Sequence, residues 1–182
     1  MKLCTLAEGL NLNLTTPDLE ISDIASDSRA VSNGCLFAAL DNGVDNGNAY
    51  IPHAISRGAS AVVCKNAEMK KEYPDTVFIE TENPNKVFSR MVARFYEGQP
   101  RHIAAITGTN GKTSIADFIR QMLVADGKNA ASIGTLGLIK NNNAPAAYAN
   151  TTPGAITLHK DMQRLVQDGF DYLAIEASSH GI

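Results

Sequence analysis

The sequence predicts an α/β protein in two parts, a small N-terminal α/β domain followed by the first part of a parallel-sheet domain with a phosphate-binding loop. Three observations carry that expectation. Short apolar runs bounded by glycine or polar residues alternate with helix-patterned segments along the chain. The breakers in Glu97-Gly98-Gln99-Pro100 divide it into residues 1–98 and 99–182. The run Ile106-Thr107-Gly108-Thr109-Asn110-Gly111-Lys112-Thr113-Ser114 joins a strand end to a helix start through a glycine-rich turn.

Each element has its own warrant. In the first part Ile21 to Ile24 is a short strand candidate, and Cys35 to Leu40 and Ala61 to Cys64 read as buried strands. Between those two, Tyr50 to Arg57 reads as a helix that stops at Gly58. Thr76 to Glu80 is a further strand. Asn83-Pro84 opens a helix whose buried stripe is Phe88, Met91, Val92 and Phe95. In the second part Ile103 to Thr107 leads into the glycine-rich loop, and Ile115, Phe118, Ile119, Met122 and Leu123 give the next helix its apolar pattern. Ala130 to Leu138 reads as one strand, Asn141 to Asn143 as a turn, Ile156 to Gln167 as a helix and Tyr172 to Glu176 as a strand. Parallel sheets covered on both faces produce such apolar strands.

The glycine-rich loop has the parts of a phosphate cradle. Gly108 and Gly111 allow the backbone to bring its N–H groups close to phosphate oxygens. The helix N-terminus behind them favours an anion. Lys112 supplies positive charge, and Thr113 or Ser114 supplies a hydroxyl for Mg²⁺. The P-loop pattern G-x-x-x-x-G-K-[ST] places a glycine five residues before Gly111, where this chain has Ile106. The loop is therefore a shorter G-T-N-G-K-T form.

Composition narrows the function classes. With 44% apolar and 19% charged residues the chain is an ordinary globular protein. A formal net charge of -3 leaves no basic footprint, which argues against nucleic acid as a partner. Cys4, Cys35 and Cys64 are too widely spaced for a zinc C-x-x-C pair or a disulfide framework and read as free thiols. No stretch approaches the roughly 20 apolar residues of a membrane span. A cytoplasmic location without membrane insertion is expected.

In open α/β sheets the site lies at the carboxyl ends of the strands. This rule places the glycine-rich loop, Asn150-Thr151-Thr152-Pro153 and Glu176-Ala177-Ser178-Ser179-His180 on one rim. Read alone, Glu176 is a surface carboxylate at a strand end, and Thr151-Thr152-Pro153 is a lead-in to the next helix. Beside the loop, Glu176 becomes a candidate for Mg²⁺, either as a direct ligand or through the groups that ligate it. His180 could hold metal or phosphate, or cap a turn.

Several blocks together resemble one family, the ATP-dependent Mur ligases, and within it the MurE type. They are Asp27-Ser28-Arg29 with Gly34 to Ala39, Tyr50 to Ile55 with Gly58-Ala59, Gly108 to Ser114, Asn150 to Pro153, and Glu176 to His180. The short loop is normal in that family. Around Asp41 to Asn48 the chain departs from it, reading Asp45-Asn46-Gly47-Asn48.

The resemblance implies a UDP-sugar-binding N-terminal domain and a central ATP-binding domain. It places ATP on Gly108, Thr109, Asn110, Gly111, Lys112, Thr113 and Ser114, and Mg²⁺ on Thr113 and Glu176 with His180 nearby. Lys112, Glu176 and His180 take the catalytic roles. Ser28 contacts the UDP-sugar, while Asn150, Thr151, Thr152 and Ser178 contact the muramoyl-dipeptide. The implied reaction adds a third amino acid, meso-diaminopimelate or L-lysine, to UDP-N-acetylmuramoyl-L-alanyl-D-glutamate through an acyl phosphate. A C-terminal part is then missing, and this N-terminal portion is expected to be inactive alone. The rival readings are a folylpolyglutamate synthase-like ligase and a non-catalytic nucleotide-binding fragment.

Overall fold

The computed structural model describes residues 1–12, 14, 18–41, 46–143, 148 and 150–178. The chain folds into two compact units, Met1–Phe95 and Tyr96–Ile182. Among the described residues no helix is long and apolar enough to cross a membrane.

The first unit is built on a four-stranded parallel sheet in the order β1-β2-β3-β4: β1 (Asp23–Ala25), β2 (Cys35–Ala38), β3 (Ala59–Cys64) and β4 (Val77–Glu80). Most of their residues are apolar and buried, because both faces are covered. Alternation sorts them. Phe37, Val62, Cys64 and Phe78 form one core with Ile51 and Ala54 of helix α2 (Ile51–Ser56). The intervening Leu36, Ala38, Ala61, Val63 and Ile79 are buried as well. Helix α1 (Leu3–Ala7) packs against helix α3 (Pro84–Phe95). The start of α3 is set by Asn83, whose side-chain oxygen accepts from the Lys86 N–H at 3.0 Å, with Pro84 as the first helical residue. Its buried stripe is Val87, Phe88, Met91 and Val92; Phe95, expected in that stripe, is half-buried. Cys4, Cys35 and Cys64 are free, and burial pushes the Cys35 and Cys64 thiols up to about 11. Both therefore stay protonated and unreactive near neutral pH.

The second unit carries strands β5 (His102–Ile106), β6 (Ala130–Gly134), β7 (Gly137–Lys140) and β8 (Tyr172–Glu176), with helices α4 (Lys112–Ala125) and α5 (Ala155–Gln167). The strand order is β5-β8-β6-β7. β8 pairs in parallel with β5 and β6, whereas β7 runs antiparallel to β6. Two expectations are corrected here. The single strand expected over 130–138 is a hairpin, because Gly134-Thr135-Leu136-Gly137 turns the chain and Gly137 takes φ +89. The sheet is consequently mixed rather than wholly parallel.

The second correction concerns burial. β5 reads as a buried strand, yet it lies at an end of the sheet and exposes much of its length. Helix α4 behaves alike. Its buried residues are Ala116 and Arg120, one turn apart, while Phe118 is 59% exposed and Met122 64%. An apolar stripe declares helical period but not which neighbour covers it. Here α4 meets β6 and β8 through its Ala116-Arg120 side. Arg120 pairs with Asp117 at 2.5 Å and donates to the Asn141 carbonyl, which ties α4 to the end of the hairpin. The core of this unit joins Ala131, Ile133, Leu138, Met162, Leu165, Phe170, Leu173 and Ile175.

Phe37 is 1% exposed at the centre of the first unit's sheet. Phe37→Ala is expected to lower the unfolding free energy of that unit by about 3–5 kcal/mol, read from urea denaturation. A change below about 1 kcal/mol would show that the core collapses to fill the space.

Candidate functional site

The rim at the carboxyl ends of β5, β6 and β8 gathers most of the chemistry-bearing residues. The loop after β5 runs through Gly108, Thr109 and Asn110 to Gly111, which takes φ +80 as the cap of α4. That left-handed conformation is open to glycine at little cost and turns the chain sharply into the helix. Lys112 and Thr113 thus fall in the first turn of a 14-residue helix, where unpaired N–H groups face outward. The Lys112 ammonium donates to the carbonyls of Gly108 at 2.8 Å and Thr109 at 3.3 Å. The loop is in this way closed on its own lysine. Ser114 is exposed on the same turn.

Glu176 is not a surface carboxylate. It is 2% exposed, at the last position of β8, paired in register with Ile106 of β5. Burying a charged group is costly unless donors surround it. The donors are present. The Thr113 hydroxyl donates to Oε2 at 2.9 Å, the Thr135 N–H to Oε1 at 3.0 Å, and the Thr135 hydroxyl to Oε2 at 3.3 Å. Threonine retains lone pairs while its proton serves Glu176. The pair can therefore offer a carboxylate oxygen and a hydroxyl oxygen together, a hard-donor set that suits Mg²⁺. Among the described residues no three His, Cys, Asp or Glu side chains form a complete metal cage. A Mg²⁺ ion that keeps its waters and phosphate oxygens does not require one.

The threonines before α5 do more than lead into a helix. The helix cap is Gly154, and no side chain caps it. The Thr152 hydroxyl instead donates to the Glu176 carbonyl at 2.8 Å, accepts from the Ser178 N–H at 2.9 Å and lies 3.0 Å from the Ser178 hydroxyl. Thr151 lies 3.1 Å from the Thr135 hydroxyl. The Thr151-Thr152 segment, the end of β8 and the start of α4 are thus one hydrogen-bonded group. Asn150 is exposed beside them. His180, with Ser179, lies outside the described residues.

Two members of this group escape sequence reasoning. Thr135 belongs to no motif, and its neighbours Gly134 and Leu136 read as part of a strand. Gly134 is legible only in three dimensions: a Cβ there would lie 2.0 Å from Glu176 Oε1 and 2.4 Å from its Cδ. The carboxylate occupies the space that a side chain would fill.

In the first unit Ser28 is buried in a single turn of 3₁₀ helix, Ser28–Ala30. Its hydroxyl lies 2.9 Å from His53 Nδ1. Asp27 caps that turn by accepting from the Arg29 N–H at 2.9 Å, and the Arg29 guanidinium returns to Asp27 at 2.7 and 3.0 Å. Arg29 therefore braces the turn that presents Ser28. Hydrogen bonds from Arg29 pull the Asp27 carboxyl down to about 2. Being depressed in the folded state, it contributes stability that is present above its ordinary 3.8 and lost as pH falls toward about 2. Residues 42–45, which include Asp45 of the departing stretch, lie outside the described residues.

Comparison with known proteins bears on both units. Residues 106–182 match the Mur ligase middle domain, and residues 20–96 match the Mur ligase family catalytic domain. A UDP-N-acetylmuramoyl-L-alanyl-D-glutamate--2,6-diaminopimelate ligase of Bradyrhizobium diazoefficiens is 42% identical over 165 residues, 90% of this chain and 33% of the relative. The Zymomonas mobilis ligase of the same name is 40% identical over 181 residues, 100% of this chain and 36% of the relative. A solved structure of a ligase of that name superposes with TM-score 0.76 at 24% identity, covering 100% of this chain and 37% of the other. The chain thus spans about a third of the length of the relatives it matches.

The close approach of Gly134 to Glu176 generates a test. Gly134→Ala must displace the carboxylate, and overpacking of this kind is expected to cost about 1–3 kcal/mol in thermal unfolding. An unchanged midpoint would show that Glu176 leaves its position freely.

Proposed function

Because the chain belongs to the Mur ligase family, we propose that its parent protein is an ATP-dependent ligase that adds the third amino acid to UDP-N-acetylmuramoyl-L-alanyl-D-glutamate. The observation that carries this reading is the single hydrogen-bonded group at the strand ends, where the turn after the glycine-rich loop, Glu176 and the Thr151-Thr152 segment meet. Two relatives bearing the diaminopimelate ligase name, at 40–42% identity, support diaminopimelate over lysine as that amino acid.

The residues divide the work as follows. Residues 1–98 hold the uridine-diphosphate end of the substrate, with Ser28 toward the UDP-sugar. Residues 99–182 hold ATP through Gly108 to Ser114. Asn150, Thr151, Thr152 and Ser178 face the muramoyl-dipeptide. Thr113 and Glu176 would hold Mg²⁺, and His180 is the third residue assigned to the ion. When bound, the ion neutralises phosphate charge and supplies electrostatic stabilisation to phosphoryl transfer. Substrate carboxylate and γ-phosphate are both anions, so their approach must be made favourable by the protein. Lys112 and the loop N–H groups supply that. The product of this step is an acyl phosphate that the incoming amine attacks. Such an enzyme would meet its nucleotide-linked precursor in the cytoplasm.

The reading is tested in two steps. The chain itself should bind UDP-muramoyl-dipeptide and ATP separately in calorimetry; a folate-directed ligase would ignore the first. In the full-length protein Lys112→Ala should slow acyl-phosphate formation at least about 100-fold. Near-normal formation in that variant would sink the assignment.

A further inference from the structure

We propose that Thr135, which belongs to no recognised motif in this chain, is a positioning residue for Glu176, and that its hydroxyl sets the direction in which the carboxylate faces a metal ion. The inference rests on the metal role proposed above for Thr113 and Glu176.

Glu176 has two carboxylate oxygens, and Thr135 reaches both. Its N–H donates to Oε1 at 3.0 Å and its hydroxyl to Oε2 at 3.3 Å. The other donor, Thr113, reaches Oε2 alone. Thr113 leaves the carboxylate free to rotate about the axis through that oxygen, whereas two donors from one residue fix its plane. The backbone of Gly134 closes the remaining side, since a Cβ there would fall 2.0 Å from Oε1. Thr135 is held in turn. It follows β6 in the hairpin turn whose register pairs Gly134 with Gly137, and its hydroxyl lies 3.1 Å from that of Thr151.

The direction of these hydrogen bonds follows from chemistry. A carboxylate only accepts, so the Thr135 proton goes to Glu176 and its oxygen accepts the proton of Thr151. Glu176, Thr135 and Thr151 then form an oriented chain from the candidate metal ligand to the segment proposed to face the dipeptide. Thr135 is exposed and contributes nothing to the buried apolar core. Its contacts concern the carboxylate, and removing the hydroxyl should leave the fold unchanged.

The test uses Mn²⁺ as the probe, titrated into the 182-residue chain with a non-hydrolysable ATP analogue and followed by electron paramagnetic resonance. Thr135→Val, which keeps shape and the backbone donor, should weaken Mn²⁺ binding roughly tenfold, the loss of one hydrogen bond to a charged group. Thr135→Ala should weaken it similarly. Thr135→Ser should stay within about twofold of the parent, since it restores the hydroxyl. All three should unfold at the parent's midpoint. Glu176→Gln serves as the reference. If it binds Mn²⁺ as the parent does, the metal reading fails and takes this inference with it. If Glu176→Gln weakens binding while Thr135→Val does not, the metal reading stands and the role of Thr135 is overturned. A serine variant as weak as valine would equally overturn it.

Discussion

A carboxylate withdrawn from water at the end of β8 is the constraint on which this site depends. Glu176 sits where β5 and β6 flank its strand, so whatever satisfies it must come from the elements leaving those strands. Thr113 arrives from the helix after the loop, Thr135 from the hairpin turn, and Thr152 reaches the Glu176 carbonyl from the segment before α5. Three connections are thereby held to one residue. Uncompensated burial of that charge would cost several kcal/mol, which the Thr113 hydroxyl and the Thr135 N–H offset between them.

The short glycine-rich loop fits this arrangement. Gly111 turns directly into α4, which brings Thr113 within 2.9 Å of Glu176. The first unit carries a braced turn of its own. There an ion pair between Asp27 and Arg29 stiffens one turn of 3₁₀ helix, and the turn presents a buried serine hydroxyl to a histidine.

Much of the fold was legible because strand and helix periods are local. The strand over Tyr172–Glu176 and the start of α3 at Pro84 follow from residue order and capping chemistry alone. The hairpin was missed because Thr135 and Leu136 continue an apolar strand pattern, and only the two flanking glycines mark the turn. The exposure of Phe118 and Met122 was missed for another reason: periodicity gives a helix its stripe without giving the neighbour that covers it. At the site, motif residues announced themselves, and Glu176 could be placed by its strand end. Thr135 and Gly134 could not. Their relevance lies in a 3.0 Å hydrogen bond from Thr135 to a residue some forty positions away, and in a Cβ at Gly134 that would fall 2.0 Å from the same carboxylate; spacing along the chain carries no trace of either.

The lysine closed on its own loop has a consequence for selectivity. Lys112 is already solvated by the carbonyls of Gly108 and Thr109, so an incoming molecule gains from it only by outcompeting two neutral dipoles. An uncharged nucleoside offers nothing better and leaves the lysine where it is. A polyphosphate offers full negative charge and draws it away. In the proposed ATP site the resting loop would therefore act as a charge threshold, answering to the phosphate tail rather than to the base and sugar.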